Sequence, residues 1–201
     1  MELALTLDTL QERVSNKYDY DEKRIVGLML ARYDISLTQN IINDCYQYWH
    51  YNTGRTLDIF WAGYGAYLCP SDQTKSKIIM SYPGNNDRAY FDLQAFIGIK
   101  NALNDELKRK YKDHIQLVLI NFEHGKLHFD NALQIDLEQN IDENYSTIRE
   151  IVEWITNETR SSHDVVSLVK KLKTKNLLDK IKGISITDTV NIALGVLGLA
   201  L

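Results

Sequence analysis

The chain has 201 residues, 44% of them hydrophobic and 25% charged, with only 2 prolines, so it has the material for a buried core and is not a disordered chain. Its 27 acidic and 23 basic side chains give a formal net charge of -4 with no long run of either sign, which offers a nucleic-acid backbone no electrostatic footprint. Two cysteines, Cys45 and Cys69, stand at no metal-ligand spacing, and Glu2 and Asp8 interrupt the first apolar stretch, a pattern that suits a reducing cytoplasm rather than export.

In chain order, Leu3, Leu7, Leu10 and Val14 recur at helical spacing and predict an amphipathic helix over about residues 2–16. The polar "NKYDYDEK" ends it, and "RIVGLMLAR" follows as an apolar run of the length of a buried strand. In "SLTQ", Ser36 and Gln39 have the spacing of a capping box, and Leu37, Ile41, Cys45 and Trp49 then fall four apart as one helical stripe that Gly54 stops. "LDIFWAGYGAY", residues 57–67, is rich in strand formers. Gly63 and Gly65 lie two apart, so on a strand both face one side and open a shallow groove between Trp61 and Tyr67. A helix of this chain or a partner would fill it.

After the loop "CPSDQTKSK", "IIMSY" reads as a short extended piece that stops at Pro83 and "GNND". Asp92 caps a helix predicted over about residues 93–112, with Phe96, Ile99, Leu103 and Leu107 as its apolar side. "IQLVLINF" and "KLHFDNALQIDL", joined by "EHG", predict an antiparallel hairpin. Ile148, Ile151, Val152 and Ile155 mark the next helix, and another begins after "SSHD" and runs to about Lys175.

The order βαβ, helix, ββα resembles that of the thioredoxin-like fold, over about residues 24–159. The resemblance implies a central mixed sheet flanked by helices, here with an N-terminal helix and linker (residues 1–22), an α/β domain (23–160) and a helical extension with an apolar end (161–201). It also implies a redox thiol at the start of the first helix of the βαβ unit and a proline before the third strand. The sequence has "YDIS" at residues 33–36 and "YKDH" at residues 111–114 in those places, so dithiol chemistry is not expected.

No catalytic set stands out. Cys45 lies on the helix stripe and reads as core; Cys69, in "CPSD", is the one alternative for a redox or thiol-dependent enzyme. His124 and His128 flank the hairpin turn beside Glu123 and Asp130, and read as a polar hairpin tip rather than a metal site. Neither "GxxxxGK" nor "GxGxxG" occurs. No metal, cofactor or nucleic-acid partner is expected.

Two features point to binding. Tyr48, Tyr51, Trp61, Tyr64 and Tyr67 crowd one part of the chain and would form an aromatic contact surface for a protein partner, or line a small-ligand pocket. Residues 190–201 are nearly unbroken apolar; Val190, Ile192, Leu194, Val196, Leu197, Leu199 and Leu201 would contact a partner, a second copy or a membrane surface. The run is shorter than the roughly 20 residues that span a bilayer, and Lys170, Lys171, Lys173, Lys175, Lys180 and Lys182 precede it, a flank that attracts anionic lipid. The expectation is a non-catalytic interaction or assembly domain, cytoplasmic and with a route to membrane association.

Overall fold

The computed structural model of the chain describes residues 2–4, 6–53, 56–66, 77–81, 88–108 and 111–196. In chain order the elements are β1 (Glu2–Ala4), α1 (Leu7–Lys17), β2 (Arg24–Leu30), α2 (Ser36–Thr53), β3 (Ile59–Ala62), β4 (Tyr64–Ala66), β5 (Lys77–Ser81), β6 (Arg88–Asp92), α3 (Leu93–Leu107), β7 (Gln116–Glu123), β8 (Lys126–Asp136), α4 (Ser146–Thr159), α5 (Val165–Thr174), β9 (Ile184–Ile186) and α6 (Asp188–Val196).

Six strands form one mixed sheet in the order β1-β3-β2-β7-β8-β9, and β4-β6-β5 form a small antiparallel sheet. β1, β3 and β2 run parallel, whereas β7 is antiparallel to both β2 and β8, and β9 is antiparallel to β8. β2 and β7 are buried along nearly their whole lengths, which is why both read as unbroken apolar runs. Asn121 and Phe122 point to opposite faces of β7. Phe122 meets the Tyr18 ring just beyond α1, at 5.8 Å, while the Asn121 side-chain Oδ1 accepts from the Val165 amide that opens α5, at 2.7 Å. Helices therefore cover both faces.

Local signals explain most helices. Asp92 accepts from the amides of Gln94 and Ala95 and caps α3, whose Phe96, Ile99 and Leu103 are buried. The helix stops at Lys108, in a left-handed conformation, rather than running on to residue 112. In α4 the four stripe residues are all buried, each contributing about 1.5–3 kcal/mol. Asp164 and Ser167 form a capping box on α5. The box expected at Ser36 does not form: the Gln39 amide donates to the Ile35 carbonyl at 2.9 Å, so Ser36 is already inside the helix. Leu37 is consequently exposed, and Thr38 takes its place on the buried stripe with Ile41, Cys45 and Trp49. Gly54, expected to stop this helix, lies outside the described residues.

Both ends of the chain add strands that periodicity does not predict. The first residues form β1 beside β3, and α1 begins only at Leu7, capped by the Thr6 hydroxyl. The C-terminal part is not wholly helical, because β9 pairs with β8 before α6 begins.

The expected single strand over residues 57–67 is broken. Gly63, at φ +80, turns the chain out of β3 and into β4, which belongs to the other sheet. A side chain at Gly63 would place its first carbon 2.7 Å from Cβ of Phe96, and one at Gly65 would meet the Tyr90 ring at 2.4 Å. The two glycines thus admit Phe96 of α3 and Tyr90 of β6, both from this chain.

Candidate functional site

The aromatic residues form a ladder through the core. Ring centroids step from Trp49 to Trp61 (6.0 Å), Tyr64 (5.6 Å), Phe91 (5.1 Å), Phe96 (5.8 Å) and Tyr111 (5.6 Å). Trp61 is 3% exposed and Tyr64 fully buried, its hydroxyl donating to the Ala31 carbonyl at 2.7 Å. These two rings therefore hold the sheets together and present no contact surface. Tyr48 is half-buried and donates to Glu153, an acceptor that pushes its pKa up to about 12; Tyr51 alone of the described members of the set is widely exposed. Tyr67 and Cys69 lie outside the described residues.

Cys45 is fully buried, and desolvation pushes its thiol up to about 11 despite the opposing charge of Arg149. A thiol so raised is a packing group, not a nucleophile. At the hairpin tip His124 and Gly125 take positive φ, His128 bonds the Glu123 carbonyl, and the His124 ring meets Tyr20 edge-on. No group of three or more His, Cys, Asp or Glu side chains among the described residues is arranged to hold a metal ion.

Polar chemistry gathers instead where Leu30 of β2, Gln116 of β7 and Asp136 of β8 stand side by side. This is the carboxyl end of β2 and β8, the end of an open α/β sheet that commonly carries ligands. Asp136, 5% exposed, accepts through Oδ2 from His114 Nδ1 and Gln139 Nε2, each at 2.8 Å. The other ring nitrogen of His114 faces Glu138 Oε2 at 3.8 Å, and Glu138 also accepts from the Ile115 amide. The hydrogen bond to Asp136 raises the imidazole pKa above its ordinary value, with both carboxylates adding attraction for the charged form. Beside them Arg32 forks onto Asp34 and reaches Asp113, partners that raise its already high pKa.

Asn140 fixes the strand end to the chain that follows α5. Its amide donates to the carbonyls of Asp136 (2.9 Å) and Lys182 (3.0 Å), and its oxygen accepts from the Lys182 amide (2.8 Å). Gly183 comes next at φ +69, and a side chain there would strike Asp136 Cβ at 2.7 Å. This close approach leaves a cleft of about 410 Å³ between β7, β8 and β9, lined in part by Lys112, Gln116, Gln134, Asp136, Gln139 and Ser185.

Two side chains in this cleft's wall have unused bonding capacity. Gln116, 3% exposed as a residue, accepts at Oε1 from Gln134 Nε2, and its own Nε2, which is not itself buried, has no partner among the described residues. Oδ1 of Asp136 is both buried and unpartnered. Buried polar atoms are nearly always paired, so Asp136 Oδ1 is an acceptor open to a donor in the cleft. The raised pKa of His114 favours its protonated form. Among the described residues the imidazole makes no hydrogen bond to a hydroxyl or thiol.

Of the apolar C-terminal residues, Val190 and Leu194 are fully buried, and α6 packs on α5 and β8. Ile192 between them is 69% exposed. The side chain of Val196 and the residues Leu197, Leu199 and Leu201 lie outside the described part. No helix among the described residues is long and apolar enough to cross a membrane.

The chain is thus an α/β protein with a central mixed sheet flanked by helices and a polar cleft at one sheet end. Compared with known proteins, it matches no family model, no curated sequence and no solved structure.

Proposed function

We propose that the chain is a non-catalytic, thioredoxin-like binding domain that takes up a small polar molecule in the cleft beside Gln116 and Asp136. The thioredoxin-like reading is supported by a parallel βαβ half (β2, α2, β3) and an antiparallel ββα half (β7, β8, α4) sharing one sheet. The observation that carries the ligand reading is the buried, unpartnered carboxylate oxygen of Asp136 in a cleft wall, beside its strand partner Gln116. Free amino acids and nucleosides carry the matching donors and acceptors. In a backbone-amide NMR titration with panels of both, at least one compound is expected to shift residues 112, 116, 134 and 183–185. Gln116→Leu removes the amide at little change of volume and is expected to weaken that binding about tenfold. Absence of shifts across both panels, or binding unchanged in the variant, refutes the reading.

A second reading rests on Ile192, an exposed isoleucine between two buried anchors of α6. It gives the apolar segment an outward side for an isologous contact with a second copy. Light scattering is expected to find a dimer that Ile192→Lys converts to monomer. A monomeric parent chain, or binding to anionic vesicles in its place, discards the dimer.

A further inference from the structure

The other end of the sheet carries a second cleft, of about 470 Å³, where the start of β2 meets the turn between α4 and α5. Lys23, Arg24, Arg160 and His163 line it against a single carboxylate, Glu22. In a chain of net charge -4, three permanent cations around one concavity are a local reversal of sign. Such a concavity focuses field on anions more strongly than the same charges on a convex surface.

The donors are unequally committed. Arg24 gives its Nε to Glu22 and stacks over the Tyr18 ring, 4.8 Å from its centroid, which fixes the guanidinium plane and leaves the two terminal nitrogens. Lys23 pairs with Glu123 of β7. Arg160 is exposed, and its side chain has no hydrogen-bond or ion-pair partner among the described residues. The hydroxyls of Thr159 and Ser162, which line the same cleft, donate to the carbonyls of Ile155 and Glu158. Donors for a guest therefore come from the two guanidinium forks, with Lys23 adding charge. Forked guanidinium groups match the spacing of oxygens on a tetrahedral oxyanion, and their weak hydration lowers the cost of the contact.

We propose that this cleft binds the phosphate group of a small phosphorylated molecule, independently of whatever occupies the cleft beside Gln116. The test is a backbone-amide NMR titration of the full chain with glycerol phosphate, with citrate as the carboxylate arm. Glycerol phosphate is expected to give saturable shifts at residues 22–25, 56 and 159–163, weakening with added salt. Arg160→Gln, a surface change that leaves the core intact, is expected to weaken binding about tenfold, and Arg160→Lys by less, since it keeps the charge but loses the fork. The proposal is overturned if glycerol phosphate gives no saturable shift, if Arg160→Gln binds it as the parent chain does, or if citrate binds more tightly than phosphate.

Discussion

Replacing Gly63 with alanine is expected to lower the unfolding free energy by about 3 kcal/mol, read as a lower urea midpoint at unchanged slope. Two costs add. At φ +80 any side chain strains the backbone. The new methyl would also sit 2.7 Å from Cβ of Phe96 and 3.0 Å from that residue's Cα and amide nitrogen. These are atoms of a helix start, which cannot swing aside as a side-chain tip can. The Gly63 carbonyl accepts from the Asp92 amide at 2.8 Å, so any shift of the turn disturbs the cap of α3 as well. Gly98, inside the same helix with nothing within 4 Å of a built Cβ, is the control. Alanine there is expected to stabilise by about 0.5–1 kcal/mol. Equal effects at the two positions would refute the role assigned to the turn.

The second large effect is a pH dependence centred on His114. Asp136 and Glu138 hold its folded pKa above the ordinary value, so the folded state binds the proton more tightly than the unfolded one. The resulting stabilisation is complete below the ordinary imidazole pKa near 6.5 and is lost as pH rises through the raised folded value. Urea unfolding of the parent chain is therefore expected to show stability falling as pH rises above about 6.5, and His114→Gln to remove most of that fall. The imidazole is 39% exposed, so solvent moderates the slope. The lowered carboxyl groups of Asp142, held by Ser146 and Thr147, and of Glu123, held by Lys23, act in the opposite direction and only in acid. Their contribution is lost as pH falls through the carboxylate range, and the two windows separate. An unchanged slope in His114→Gln would show that the pair does not carry the effect.

Long periodic segments were legible without coordinates. The stripes of α3 and α4, the cap at Asp92 and the β7–β8 hairpin each rest on local spacing that the tertiary structure has no reason to override. β1 and β9 have three residues each and β6 five, too few for a period to register. What makes them strands is the neighbour they pair with. The aromatic cluster misleads because its composition suits an interface as well as a core, and only the break at Gly63 sends Trp61 and Tyr64 into ring-to-ring packing. The cleft was not legible. Gln116 and Asp136 are ordinary residue types 20 positions apart, joined by hairpin register, and the wall opposite them arrives from beyond residue 180. A polar side chain at the end of an apolar strand was the one available signal.

Asn140 gives that geometry a further consequence. β8 can complete its pairing with β7 without β9, but the cleft has its full wall only after Gly183, Ile184 and Ser185 have settled against β8. A molecule filling it would touch the body of the sheet and its last strand together. Occupancy and attachment of the last strand then reinforce each other by mass action, and the C-terminal helix, joined directly to that strand, inherits the coupling.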